Sequence, residues 1–251
     1  MAKKNRPSPV IAPLTAPIDC ACVIHGDAYS WKYVERLYSM LSRHLTPGVR
    51  LHVYTEAHRV VPAPFIKHEL LDWNIYGPKK AWWYKMQMFN AKTHYKGPLL
   101  YLDLDVVITG NIDWICRLPL QYFWAVRDFK YLWRETHYAM NSSIMWWDTW
   151  EYAPLWREFS SQDIRTVTKQ YHGDQDYLDV KIPKSQLRYF DTEMIRSWRW
   201  QALDGGYNFK KRTYLAPGTG TNIANNTSVL VFHGHPKPDQ IQDPVIIQHW
   251  Q

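Results

Sequence analysis

Apolar positions along this chain gather in short continuous runs. Ile18 to His25, Arg50 to Thr55, Leu99 to Ile108, Tyr122 to Arg127, Met140 to Trp147 and Val229 to Phe232 are each mostly aliphatic or aromatic. Such runs predict strands covered on both faces. Between the first two, Tyr29 to His44 carries helical spacing, with Tyr33, Leu37, Met40 and Leu41 on one side, and Thr46-Pro47-Gly48 stops the helix. The opening is therefore strand, helix, strand, as in a Rossmann-like sheet. Ligands of such sheets bind at the carboxyl ends of the strands. His25, Asp27 and Tyr29 follow the first strand and stand where a nucleotide is expected, with Tyr29 able to stack on a base.

Further along, Pro62 to Pro78 reads as a connection with several breakers, and Lys80 to Asn90 as a helix carrying Trp83, Lys85 and Phe89 on different faces. Asn111 to Trp114 reads as a turn into a short amphipathic piece. Met140 to Trp147 is a strand whose small residues Ser142 and Ser143 would let a ligand approach the backbone. Glu151 to Gln162 is a helix. His172 to Leu178 opens another, with Asp174, Gln175 and Asp176 at its start; taken alone, these are capping residues. Residues 182 to 227 read as short strands, aromatic loops and the Gly-rich piece Gly218-Thr-Gly220. The last strand ends in His233-Gly234-His235-Pro236-Lys237-Pro238. With no internal repeat or linker composition, the expectation is a single α/β domain over 18–251, preceded by a flexible, basic, Pro-rich tail over 1–17.

Composition narrows the class. At 251 residues and 46% hydrophobic the chain is long enough for one sizeable core and is not disordered. Fourteen Trp and seventeen Tyr exceed what that core needs, so some should line a groove where flat rings stack on sugars or bases. A net charge of +7 favours an anionic ligand, an anionic polymer or a membrane surface. The basic residues are scattered, with small groups at Lys3-Lys4, Lys79-Lys80 and Lys210-Lys211-Arg212; the last is the best patch, and a solvated loop explains it as well. Three cysteines, Cys20, Cys22 and Cys116, have no metal-site spacing and indicate a reducing compartment. Cys20 and Cys22 should face the same packed surface of the first strand. No apolar stretch suits a signal peptide or membrane span, so a soluble, cytoplasmic protein is expected.

The candidate chemistry lies in Tyr101-Leu-Asp103-Leu-Asp105, two carboxylates inside an apolar run. Burying them unpaired would cost several kcal/mol or force protonation. Residues i and i+2 of an extended segment point to one side, so both can converge on one divalent cation, with Mg2+ or Mn2+ suited to oxygen ligands and phosphate.

In order along the chain stand Trp83-Tyr84-Lys85, Tyr101-Leu-Asp103-Leu-Asp105, Asn141-Ser142-Ser143, Asp174-Gln175-Asp176 and His233-Gly234-His235-Pro236-Lys237-Pro238. Together they resemble the metal-dependent glycosyltransferases of the GT-A fold, related to glycogenin and bacterial lipopolysaccharide galactosyltransferases. The resemblance implies a Rossmann-like nucleotide-binding mixed sheet flanked by helices and retaining transfer of a sugar from a UDP-linked donor to a hydroxyl acceptor. It implies Asp103, Asp105 and His233 as ligands of Mn2+ (or Mg2+), and Lys237 on the diphosphate. Lys85 would reach the donor; Asn141, Ser142 and Gly234 would line its site; Asp174 and Gln175 would position the sugar. The ending is compressed relative to the family's, so His235 is a second candidate ligand; His233 is favoured because it ends the strand. The acceptor would be a glycan or small molecule, with DNA carrying hydroxymethylated bases as an alternative. A non-catalytic nucleotide-sugar-binding protein of the same fold is the competing class. A phosphotransferase or nucleotidyltransferase lacks its Gly-rich phosphate loop here and leaves the closing segment unexplained.

Overall fold

The computed structural model describes residues 14–75, 81–203, 207–208, 213–214 and 220–251. The tail before residue 14, the Lys79-Lys80 pair, the Lys210-Lys211-Arg212 patch and residues 218 and 219 of the Gly-rich piece lie outside the described residues.

The chain runs β1 (Ile18–Val23), α1 (Trp31–His44), β2 (Val49–Thr55), β3 (Ile66–Glu69), a 3-10 helix (Ala81–Phe89), β4 (Pro98–Leu102), β5 (Val106–Ile108), α2 (Asp113–Cys116), β6 (Phe123–Arg127) and β7 (Met140–Asp148). It continues through α3 (Ala153–Ser160), α4 (Ile164–Gln170), α5 (Asp174–Lys181), β8 (Leu187–Tyr189), β9 (Ile195–Ser197), β10 (Tyr207–Asn208), β11 (Thr213–Tyr214), β12 (Val229–Val231) and α6 (Pro244–His249). Seven strands form the main sheet in the order β3-β2-β1-β4-β7-β6-β8. Strands β3 to β4 are parallel neighbours in that order, and β7 is antiparallel to both β4 and β6. This is the mixed α/β sheet expected from the strand-helix-strand opening.

Alternation explains why these strands read as continuous apolar runs. Cys20 and Cys22 of β1, with Leu100 and Leu102 of β4, enter one core together with α1 residues Val34, Leu37 and Leu41. Their neighbours Ala21, Leu99 and Tyr101 enter the other, with Trp83, Phe89 and Trp147. Both sheet faces are covered, so every position is apolar. The expected common face of Cys20 and Cys22 is confirmed, and all three cysteines are buried and unpaired.

Three expectations need correction. Leu99 to Ile108 is not one strand: β4 belongs to the main sheet, β5 belongs to a second sheet of order β5-β12-β9, and Asp103-Leu104-Asp105 is the turn between them. Two short buried strands give the same apolar run as one long one. The segment 81–89 is a 3-10 helix, and Trp83 to Phe89 are all buried, so apolar and polar faces do not separate. The Pro62 to Pro78 connection contains β3, which pairs in parallel with β2 despite its exposed ends. No helix among the described residues is long and apolar enough to cross a membrane.

Candidate active site

The turn between the two sheets places both carboxylates where β4 ends. The Asp103 amide donates to the Ser143 carbonyl of β7 (2.8 Å), fixing the turn against the neighbouring strand. Register puts this point level with the carboxyl end of β1, since Ala21 pairs with Tyr101. The loop after β1, with His25, Asp27 and Tyr29, leaves the sheet on the same side. His25, Asp27, Tyr29, Asp103 and Asp105 are thereby brought to one end of the sheet.

Asp103 and Asp105 converge, but each has a lysine. Lys85 Nζ lies 2.8 Å from Asp103 Oδ1, which also accepts from Tyr101 OH at 2.6 Å. The Asp105 Oδ2 accepts from Lys237 Nζ and, at 3.0 Å, from Tyr29 OH. The sequence reading left these carboxylates without protein partners; the structure supplies them from residues 18 and 132 positions away. Compensation is still incomplete at Asp105. Burial and the neighbouring Asp103 charge raise its pKa, against the pull of Lys237 and Tyr29.

Lys85 is a buried lysine in a cage. Besides Asp103, its Nζ donates to Ser142 Oγ (3.2 Å) and lies 3.8 Å from Asp174 Oδ2. Burial alone would lower its pKa, but Asp103 and then Asp174 outweigh burial and raise it. Asp174 opens α5, yet its side chain caps nothing; the N-cap is Gly173, without a side-chain cap bond. That corrects the capping reading: the carboxylate turns toward Lys85. Burial raises the Asp174 pKa against Lys85 and Ser142, and its Oδ2 accepts no hydrogen bond. A buried acceptor without a hydrogen bond, 3.8 Å from the Lys85 ammonium, is an exception among buried polar groups.

Other sequence-predicted residues are placed as follows. His25 stacks on Tyr84, ring centroids 3.7 Å apart, and burial lowers its pKa. Asp27 is exposed. Tyr29 packs edge-on against Tyr33 (4.8 Å), and Lys237 Nζ lies 5.4 Å from its ring centre. Asn141 Oδ1 accepts from the Ser143 amide, so this side chain shapes the backbone of β7 beside the turn. Gln175 is half-buried on α5.

His233 stands apart from the carboxylates. Its Nε2 is 2.7 Å from Ser197 Oγ, its ring stacks on Phe129 (5.5 Å), and Trp200 packs at 4.1 Å. Burial, then Arg199 and Lys237, lower its pKa to about 3, which keeps the imidazole neutral. His235 is exposed, with Nδ1 3.4 Å from Gln240 Oε1. Gly234 turns the chain at φ +74°, and a Cβ there would come within 3.3 Å of Arg199 Nη2. Beyond it the segment returns to the carboxylates: the Lys237 amide donates to Gln240 Oε1 (2.8 Å) and Tyr33 OH donates to Asp239 Oδ1 (2.5 Å).

A divalent cation fits part of this set. Asp103 and Asp105 offer hard oxygen donors at an edge that stays open, since the Asp103 side chain is 23% exposed. No group of three or more His, Cys, Asp or Glu residues among the described residues is arranged to hold a metal ion, so His233 does not join the pair here.

No family model matches the sequence, and no curated protein matches it by sequence. Solved structures do share its fold. The galactosyltransferase LgtC, solved with donor and acceptor sugar analogs, aligns with a TM-score of 0.59 at 15% identity, over 88% of this chain and 89% of its own. The apo-form glycosyltransferase GlyE of Streptococcus pneumoniae TIGR4 aligns at 0.59 and 16% identity, over 89% of this chain and 56% of its own. Mouse xyloside xylosyltransferase 1 aligns at 0.51 and 15% identity, over 87% and 98%.

The fold is that of the GT-A glycosyltransferases. Within this GT-A domain, sequence reasoning missed the residues that clasp its named ones. Tyr101 could have been found, because it lies two positions before Asp103 on one face of a strand. Ser197, Phe129 and Trp200 around His233, and Tyr33 beneath Asp239, gave no such signal because only the tertiary fold unites them.

Proposed function

We propose that this chain is a metal-dependent glycosyltransferase that moves a sugar from a UDP-linked donor to a hydroxyl on a glycan or small molecule, with retention of configuration. One observation carries the reading: among the described residues, Asp103, Asp105 and Asp174 share the carboxyl end of the sheet with Lys85 and Lys237 as their cationic partners. Three carboxylates against two ammonium groups leave a buried excess of negative charge. A divalent cation with a diphosphate balances such a site, and a purely structural ion pair would not need the third carboxylate.

In this reading Asp103 and Asp105 hold Mn2+ or Mg2+, which supplies positive charge to the diphosphate oxygens. His233 is the candidate third ligand, with its Nε2 now 2.7 Å from Ser197 Oγ. Lys237 meets the charge that develops on the departing diphosphate. Lys85 pairs with Asp103 and lies beside Asp174, which holds the two carboxylates in place. Asp174, through its orphaned Oδ2, and Gln175 position the sugar; Asn141 and Ser142 shape the wall beside it, while His25, Asp27, Tyr29 and Gly234 lie on the nucleotide side. The three buried thiols support a reducing, cytoplasmic setting.

The test is release of nucleoside diphosphate from a panel of nucleotide sugars with Mn2+, with and without chelator, followed by mass spectrometry of the products and NMR of their anomeric configuration. UDP release that stops on chelation is expected. Release unaffected by chelator overturns the metal dependence, and binding without turnover for every donor would favour the non-catalytic reading.

A further inference from the structure

The two lysines at the carboxylates are held in different ways. Lys85 has three partners, Asp103, Ser142 and Asp174, and its side chain is 9% exposed. Lys237 meets one carboxylate, Asp105, and its side chain is 20% exposed. Its backbone is independently anchored: the amide donates to Gln240, the following Pro238 is buried, and the adjacent Asp239 is tied to Tyr33. Rotation of the lysine side chain alone would therefore relieve Asp105 of its ammonium, leaving the Tyr29 hydroxyl on Oδ2, without unseating the segment.

We infer that Lys237 is a built-in counter-ion that occupies Asp105 until metal and diphosphate arrive together, so that it competes with the divalent cation for this carboxylate. The inference rests on the metal reading above and adds an order of events to it. An ammonium on Asp105 satisfies a lone pair the metal would use and repels an incoming dication. A diphosphate offers that ammonium a second anionic station, so the nucleotide removes the competitor as the metal enters. Metal binding alone is then weak, and metal and nucleotide bind cooperatively. The gain for the enzyme is a site that takes up its cation with the donor and is partly charge-compensated without it.

The experiment is titration of the purified full chain with Mn2+, following free Mn2+ by electron paramagnetic resonance, with and without UDP. Lys237→Ala and the longer neutral Lys237→Met should bind Mn2+ about tenfold more tightly than wild type without UDP, within the usual range of coupling between two ligands. UDP should tighten Mn2+ binding strongly in wild type and much less in these variants. Lys237→Arg keeps the charge and should stay near wild type. Circular dichroism checks that each variant is folded. Equal or weaker Mn2+ binding in both neutral variants overturns the inference while leaving the metal reading intact, provided Asp105→Asn loses Mn2+ binding. If Asp105→Asn binds Mn2+ as wild type does, the metal reading fails and this inference fails with it.

Discussion

Asp19 and Asp105 are both buried carboxylates in the same half of the molecule, 7% and 4% exposed, and their surroundings treat them in opposite ways. Asp19, at the start of β1, accepts from Arg50 Nε (2.8 Å), His52 Nε2 (2.9 Å) and Tyr95 OH (2.8 Å). Burial would raise its pKa, but His52, Arg50 and Tyr95 overcome that and hold it well below the usual carboxylate range. Asp105 faces a second carboxylate, and its pKa is raised. The first is a finished structural bond network, and the second is left short of positive charge. Burial of a carboxylate thus says little by itself; whether its charge is fully met separates a structural acid from one kept for a ligand.

The sharpest way to break this comparison is to neutralise each acid in turn. Asp105→Asn or Asp103→Asn should lower UDP release by at least about a thousandfold, the scale on which preorganised charge acts in catalysis. The melting temperature of Asp105→Asn should stay level or rise, because the change removes like-charge repulsion, and partly exposed Lys237 can turn to water. A large loss of stability at full activity would make Asp105 another Asp19.

Lys237→Ala should come next, lowering kcat by about a hundredfold to a thousandfold at saturating Mn2+ if Lys237 meets charge that develops only in the transition state. Lys237→Arg should recover part of this, since a planar fork does not reproduce a compact ammonium. An unchanged kcat with a raised donor KM would confine Lys237 to donor binding.

Much of this asymmetry was hidden in the sequence. The strand-helix-strand opening, β4, β7 and β12 were legible because two-sided burial writes itself as apolar runs, and the Asp-x-Asp pair was legible because charge inside such a run is anomalous. What could not be read was how that charge is met. Lys85 reaches the pair from 18 positions before it and Lys237 from 132 positions after it, and the turn that splits β4 from β5 leaves no polar or glycine mark beyond the two acids themselves. Asp19 was passed over for a related reason: it lies at a strand edge, and its partners Arg50, His52 and Tyr95 become neighbours only when β1, β2 and the loop before β4 assemble.

On the structural side, Asp19→Asn should cost about 2–3 kcal/mol, because buried His52 and half-buried Tyr95 lose a charged acceptor while Arg50, half exposed, loses little. Urea unfolding measures this. Transfer kinetics of the folded variant should match wild type, since Asp19 lies about four strand residues, roughly 13 Å, from the level of Asp103. A catalytic defect without a stability loss would show that the two ends of β1 are not independent.

The smallest effect concerns pH and extends the Asp19 network by one ring. His52 Nε2 lies 2.9 Å from Asp19 Oδ1, and its Nδ1 lies 2.8 Å from His68 Nε2, so the contacts run from Asp19 through His52 to His68. Burial, then His52 and His94, lower the His68 pKa to about 4. An unfolded histidine titrates near 6.5, so between about pH 6.5 and pH 4 the unfolded chain binds the proton that the folded chain refuses. Stability contributed by a neutral His68 is therefore complete above pH 6.5, declines as pH falls, and levels off below about pH 4. The loss should reach about 2 kcal/mol by pH 5. Other buried histidines slope the same way, so the informative quantity is the difference between wild type and His68→Gln, which keeps an N–H donor for His52 and has no proton to gain. Urea unfolding free energies at pH 7, 6 and 5 should fall more steeply for wild type than for His68→Gln; parallel curves would mean that His68 takes up its proton within the fold and that the Asp19 network does not extend beyond His52.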